Sequence, residues 1–451
     1  MPGLATPVRL GIASLLFIFL LLMGIGLHAL DQKAELSPAS SQSPDSEVTA
    51  ANHAVQGYIL APEKYARAVA YHRANYWLYL VTTLYTLFLL LAIVQWRFAP
   101  RLRDCAENIL RRRWLQLLIC VPLFLLAFAF LLLPTDVLSQ WNMRRYGVSI
   151  QGWASWFGDW TAGEAATLAT GTIAIGLLYL VMRWSPRRWW FYLWAMALPL
   201  LVLIAFIQPV AIDPLFNTIE PLNRSNPELV NSIEVLLGRA GLEIPPKHIY
   251  LLKVNDKSTR VDASSEGFGP TKSIFVWDTQ IASERGPAIL HTLGHEIGHF
   301  KIPLDWIVFA ICVPLSLALV YLIDRVFTAA LGRWGQQWNI RGPGDWASLP
   351  VLALIVALVA VLLTPVLNTI SRYREHEADR YGLELIHGIV PNAGEVAANA
   401  FQKDEEINLA DPNPPALVKW WLFDHPAAND RIVFLRTYDP WSNYQKPRYV
   451  Q

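Results

Sequence analysis

The chain has 451 residues, 54% of them hydrophobic and only 16% charged, an apolar excess that the core of a soluble protein does not absorb, so part of it belongs in lipid. A formal net charge of +1 gives no general pull toward a polyanion, and no nucleic-acid partner is expected. Of the three cysteines, Cys120 and Cys312 sit in apolar runs and Cys105 in a basic loop. Neither a disulfide framework nor a cysteine metal site can be read from them, so any metal must be held by histidine and carboxylate.

A helix of about 20 apolar residues crosses the ~30 Å hydrocarbon layer. Seven stretches qualify: 10–30, 76–97, 114–134, 165–184, 189–212, 303–323 and 348–367. The first also carries features of a signal peptide, but its apolar run is long for one, and a retained span is expected. Segment 31–57, rich in Ser, Ala, Gln and Pro, reads as a flexible connection. The polar stretches 213–302 and 368–451 are then the two pieces large enough to build a water-facing domain. The expected organisation is an N-terminal membrane region (1–212), a first half-domain (213–302), a transmembrane hairpin (303–367) and a second half-domain (368–451).

In the first polar stretch, 226–241 has apolar residues at helical spacing between an Asn226-Pro227 start and a Gly241 stop. Segments 247–254 and 272–278 have the β-branched and aromatic makeup of strands, with Gly269-Pro270 as a turn between them. A helix opened by Pro287 is expected to run to about Phe300. It contains HTLGHEIGHF, so His295, Glu296 and His299 form an HExxH pattern. Positions four apart share one helix face, which lets both imidazoles reach one tetrahedral zinc, while Glu296 stands where it can take a proton from a water that the metal acidifies. Ile289, Leu293, Ile297 and Phe300 fall on the opposite, core-facing side. His291, one turn before His295, reads as a packing or hydrogen-bonding residue. Arg285 and the polar segments around the motif place it at the membrane surface rather than inside a span.

A catalytic zinc takes three protein ligands and keeps one position open. The run LNTISRYREHEADRYGLEL, from Leu367, continues the seventh span as a helix and offers Glu375, His376, Glu377, Asp379 and Glu384. Glu375 and Asp379 share a face, so one can ligate the metal while the other accepts the second ring N–H of a ligand histidine. His376 and Glu377 point elsewhere and read as a solvated charged face. Nearer the sheet, an extended peptide can add to a strand edge through main-chain hydrogen bonds, and Val261–Ala263 is the candidate strand for that.

SRYREHEAD at 371–379, following GHEIGH at 294–299 across a two-span hairpin, resembles the zinc-dependent CAAX prenyl endoproteases. The likeness extends to EKYARAVAYHRANY (63–76), YGVSIQGWASWFGD (146–159), DPLFN (213–217), VDASSEGFGPTKSIFVWDT (261–279) and HPAANDR (425–431). It implies a mainly α fold: a polytopic membrane protein with about seven transmembrane helices and a split, zincin-like α+β metallopeptidase domain. It also implies His295, His299 and Glu375 as ligands of one Zn2+ per chain, Glu296 as base and Asp379 behind the ligand histidine. His425 and Arg431 match residues beside the metal that can stabilise an oxyanion. Where the family has Asn-Ala on its substrate strand, this chain has Asp262-Ala263.

The activity expected is that of a membrane zinc endopeptidase acting on a peptide or protein, membrane-associated or lipidated. The alternatives are a quality-control protease of misfolded membrane proteins and a non-catalytic chamber or transport protein with a vestigial site. In a bacterium the location would be the inner membrane. Loops 97–113 and 183–188 hold nine arginines, and short loops this basic stay in the cytoplasm, which puts the zinc domain on the outer, periplasmic side. Lys64, Arg67, Arg73, Arg372, Arg374 and Arg380 weigh the other way.

Overall fold

The computed structural model describes residues 57–450 except 285, 303 and 443. The expected span 10–30, nearly all of the 31–57 connection and Arg285 lie outside the described residues. Six helices among them are long and apolar enough to cross a membrane, and they take in the other six expected spans. They are α1 (Pro62–Gln95), α3 (Arg113–Arg145), α4 (Trp153–Trp184), α5 (Trp189–Ile207, prolonged by a π-helical turn to Ile212), α9 (Leu304–Trp334) and α10 (Leu349–Ile386). Most run beyond the apolar stretch. The added turns of α1 and α4 are polar or amphipathic and stand in the water-facing part, where apolarity alone gives no signal of helix.

The 97–113 connection, expected as a loop, holds a further helix, α2 (Phe98–Ile109). Its buried residues Ala99, Arg103 and Ala106 recur at helical spacing, which draws one face onto the bundle. Arg103, 2% exposed, pairs with Asp345 at 2.5 Å and also donates to the Asn339 carbonyl. Arg183 donates to Gly344 O. Both basic loops therefore meet residues 339–345 at the end of the bundle away from the half-domains.

Those half-domains fold together as one unit. Helix α6 (Pro227–Ala240) is capped by Asn226, whose side chain accepts from Leu229 N, and stopped by Gly241 at φ 60°. A four-stranded sheet has the order β1–β2–β4–β3, from β1 (Ile219–Pro221), β2 (Ile249–Leu252), β3 (Ala263–Glu266) and β4 (Ser273–Trp277). Strands β2 and β4 are parallel and β3 is antiparallel to β4, leaving β3 at the edge. The edge strand starts later than expected: Ala263 begins it, and the polar Ser264, Ser265 and Glu266 belong to it. Upstream, Val261 is held at both backbone groups by the Asn408 side chain, at 3.0 and 3.1 Å.

After α7 (Asp278–Ser283), helix α8 (Ile289–Lys301) buries Ile289, Leu293 and Ile297 against β2, β4, α6 and the end of α10, the face expected for the core. Helices α11 (Ala393–Ile407), α12 (Ala416–Leu422) and α13 (Ala428–Thr437) complete the domain. A separate core, with Phe124, Tyr179, Trp189 and Phe327 in it, fills the membrane bundle.

Candidate metal centre

Helices α8 and α10 cross at glycines. A Cβ on Gly382 would stand 2.7 Å from His295 N, and one on Gly294 would stand 3.2 Å from the Gly382 Cα. Any side chain at the crossing pushes the helices apart, so glycine there sets the reach of the side chains above it. Those side chains are the expected ones. His299 Nε2 lies 3.2 Å from His295 Nε2, and Glu375 approaches them at 3.0 Å (His295 Nε2) and 3.6 Å (His299 Nε2). Four ligand atoms at ~2.0–2.1 Å from a tetrahedral zinc lie about 3.3–3.4 Å apart, so this triangle fits such an ion. The donor chemistry fits too: two imidazole nitrogens and a carboxylate converge in a site where each residue is at most 6% exposed, and a cation relieves the repulsion of their lone pairs.

Around this triangle the partners divide by function. Asp379 Oδ1 accepts from His295 Nδ1 at 2.9 Å, which turns the Nε2 lone pair toward Glu375 and His299. Arg431 donates twice to Asp379, Nε to Oδ2 at 2.8 Å and Nη2 to Oδ1 at 2.7 Å. The oxyanion role expected of Arg431 thus meets a guanidinium already committed to a carboxylate. Burial pulls the His295 pKa down, but the hydrogen bonds and charges of Asp379 and Glu375 outweigh it and raise it to about 10, so a metal that takes the Nε2 lone pair displaces a proton there. His291 lacks such compensation: burial pushes it down to about 4, in keeping with a neutral packing residue.

Glu296 lies with His295 and His299 in a group whose ligand atoms are within 4.8 Å of one another. It is 6% exposed and has no hydrogen-bond partner among the described residues. His425 Nε2 stands 3.3 Å from Glu375 Oε2, and its Nδ1 meets Asp424 Oδ1 at 3.0 Å. Asp424 was not singled out from sequence, and its place directly before the His-Pro pair is the signal that could have found it. Asp262 and Ala263 lie at the start of the edge strand. Trp277 N donates to the Asp262 carbonyl at 3.2 Å, while the Asp262 carboxylate accepts from Ala263 N at 2.8 Å.

Two residues expected to be solvated are not. Glu377 is 2% exposed and accepts from Arg380 (2.6 Å), Arg448 (3.0 Å) and Tyr449 OH (2.5 Å). His376 is half-buried between Arg380 and the Phe434 ring. Arg380 lies on the same helix, but Phe434, Arg448 and Tyr449 come from the C-terminal part of the chain, which no helical wheel of 371–386 includes.

Comparison with known proteins bears on the family and the fold. A family model described as the CAAX prenyl protease N-terminal region, with five membrane helices, matches residues 49–218, and the peptidase family M48 model matches 223–439. Among curated proteins, an uncharacterized metalloprotease, YhfN, of Bacillus subtilis is 29% identical over 87% of this chain and 90% of its own length. A CAAX prenyl protease 1 homolog of Dictyostelium discoideum is 25% identical over 48% of this chain and 50% of its own. The crystal structure of S. mikatae Ste24p superposes with a TM-score of 0.71 at 20% identity, over 96% of this chain and 100% of that one, a likeness of fold. With its membrane region and its metal-site region both matched, the chain belongs to peptidase family M48, as a membrane metallopeptidase of the CAAX prenyl protease-like kind.

Proposed function

We propose that the protein is a zinc-dependent endopeptidase in which His295, His299 and Glu375 hold one Zn2+ and Glu296 is the general base. The observation that carries this reading is the surroundings of Glu375: a buried carboxylate facing the Nε2 atoms of His295, His299 and His425. When bound, zinc supplies a Lewis acid that acidifies water and polarises a peptide carbonyl. Glu296, with no competing hydrogen bond among the described residues, accepts the water proton and returns it to the leaving amine. His425, oriented by Asp424, donates to the oxygen that gains charge as the carbonyl becomes tetrahedral. Arg431 acts through Asp379 as a positioning residue, fixing the carboxylate that fixes His295.

The substrate is a peptide or protein, membrane-associated or lipidated, lying along the free edge of β3. With the Asp262 carbonyl engaged by Trp277, antiparallel alternation turns the backbone groups of Ala263 and Ser265 toward that edge. The Asp262 carboxylate covers the first of these N–H groups, so a bound peptide has to displace it. The zinc domain faces away from the cytoplasm, because exposed Arg111, Arg112, Arg187 and Arg188 mark the opposite end of the bundle. A reporter fused after Gln451 tests this: activity that depends on export supports it, and a folded cytoplasmic reporter overturns it.

Metal analysis with a peptidase assay tests the chemistry. Purified protein should carry about one zinc per chain, and His295→Ala or Glu375→Ala should lose it. Glu296→Gln should keep the metal and lose about 10²–10⁴-fold in turnover. Full metal in either ligand variant, or normal turnover in Glu296→Gln, rejects the assignment. In the same assay Asp262→Asn should alter KM for peptides at unchanged zinc content, and unchanged kinetics on every peptide removes Asp262 from the substrate site.

A further inference from the structure

Backbone groups alternate along the segment that leads into β3. The Arg260 carbonyl accepts from Thr279 Oγ1 at 2.6 Å and the Asp262 carbonyl from Trp277 N at 3.2 Å, so both turn toward β4 and the helix after it. Val261 turns the other way. Its N–H donates to Asn408 Oδ1 at 3.0 Å, and its carbonyl accepts from Asn408 Nδ2 at 3.1 Å. One amide reaches both groups of a residue only where they point in the same direction, which is the extended conformation of a strand. Val261 therefore continues the row of edge-facing backbone groups formed by Ala263 and Ser265. On that row its place is taken: the planar Asn408 amide offers the donor and the acceptor that a paired strand would offer.

The amide is fixed from the membrane region. Asn408 caps the C-terminus of α11, its N–H donating to Asp404 O at 2.8 Å. Leu409 follows at φ 55°, a left-handed conformation uncommon for a residue with a β-carbon. His72 Nε2 of α1 donates to the Leu409 carbonyl, and Tyr76 OH of the same helix donates to Asp411 at 2.6 Å. Asn408 is 8% exposed and Val261 4%, so a peptide enters between them only by breaking both bonds.

We infer that Asn408, on the reading of β3 as the substrate strand, is the stop at one end of the substrate-binding edge. A bound peptide pairs with Ser265 and Ala263 and leaves the sheet beyond Ala263. Asn408 thereby limits how many residues on one side of the scissile bond contribute main-chain hydrogen bonds, which makes it a specificity-determining residue for peptide length.

Purified full-length protein is assayed with quenched-fluorescent peptides that share one cleavage sequence and are extended residue by residue on either side, the cut being located by mass spectrometry. In the wild type, extension on one side should stop improving KM at a fixed length. In Asn408→Ala that limit should move outward by two residues, the spacing of edge-facing groups, with each new hydrogen bond worth about 2–10-fold in KM. Asn408→Ser, too short to reach both Val261 groups, should do the same and guards against misfolding of the alanine variant. The same length limit in the wild type and in a zinc-replete variant overturns the stop, as does a wild type whose KM improves with every residue added on both sides. Cleavage that survives Glu296→Gln or removal of zinc rejects the zinc-endopeptidase reading, and the stop with it.

Discussion

From Leu349 to Leu367, helix α10 faces outward with Leu358, Leu362 and Val366, whereas from Ser371 to Ile386 the same unbroken helix buries four carboxylates, Glu375, Glu377, Asp379 and Glu384, each 3% exposed or less. In lipid, exposing leucine costs nothing, so the first half is specified only by length and apolarity. In the second half each buried charge must meet a partner or be neutralised. Three do so by ordinary means: Asp379 with Arg431, Glu377 with Arg380, Arg448 and Tyr449, and Glu384 with the Tyr438 hydroxyl and the backbone N–H groups of Arg448, Tyr449 and Val450. Glu375 meets imidazole nitrogens instead. Burial therefore does not single out Glu375, the proposed metal ligand, on this helix; its three imidazole Nε2 neighbours do.

The sharpest way to break that contrast is at the crossing that creates it. Gly382→Ala forces a Cβ to 2.7 Å from the His295 backbone nitrogen, and its overpacking is expected to cost about 1–3 kcal/mol. Because the helix must shift, Glu375 and Asp379 move away from His295, so metal and activity should fall together. Metal titration of a variant that still folds decides it, and wild-type affinity would show that the crossing does not set the site.

Arg431→Ala tests the second carboxylate. It leaves Asp379 buried without its cation, and metal affinity should fall about 10–100-fold, as for other outer partners of a ligand histidine. Asp379→Asn should fall in the same range. If Arg431 instead touched the reacting carbonyl, turnover would drop at unchanged metal affinity, and the split between kcat and metal Kd separates the two roles.

Glu384→Gln and Glu377→Gln should act on stability alone. Each removes a charged acceptor from donors of the C-terminal segment, at about 1–3 kcal/mol, while the amide retains one acceptor oxygen. Denaturant unfolding reads the loss, and metal content should stay at the wild-type level. A loss of metal as large as that of Glu375→Ala would mean that the C-terminal segment, too, helps to set the centre.

By itself the sequence determined six of these membrane helices, α6 with both its ends, strands β2 and β4, and the HExxH face of α8, because apolar length, capping residues and a four-residue spacing are properties of neighbouring residues. The choice between Glu375 and Asp379 stayed open on that basis, and the family resemblance favoured Glu375. The remaining features depend on contacts between distant segments. Gly294 and Gly382 meet across 88 positions, Asn408 holds Val261 in place of a strand, Arg431 turns to Asp379, and the last residues enclose Glu377 and Glu384. A helical wheel assigns a charge to a face, but whether that face meets water, a cation or three imidazoles is fixed by the packing of the whole domain.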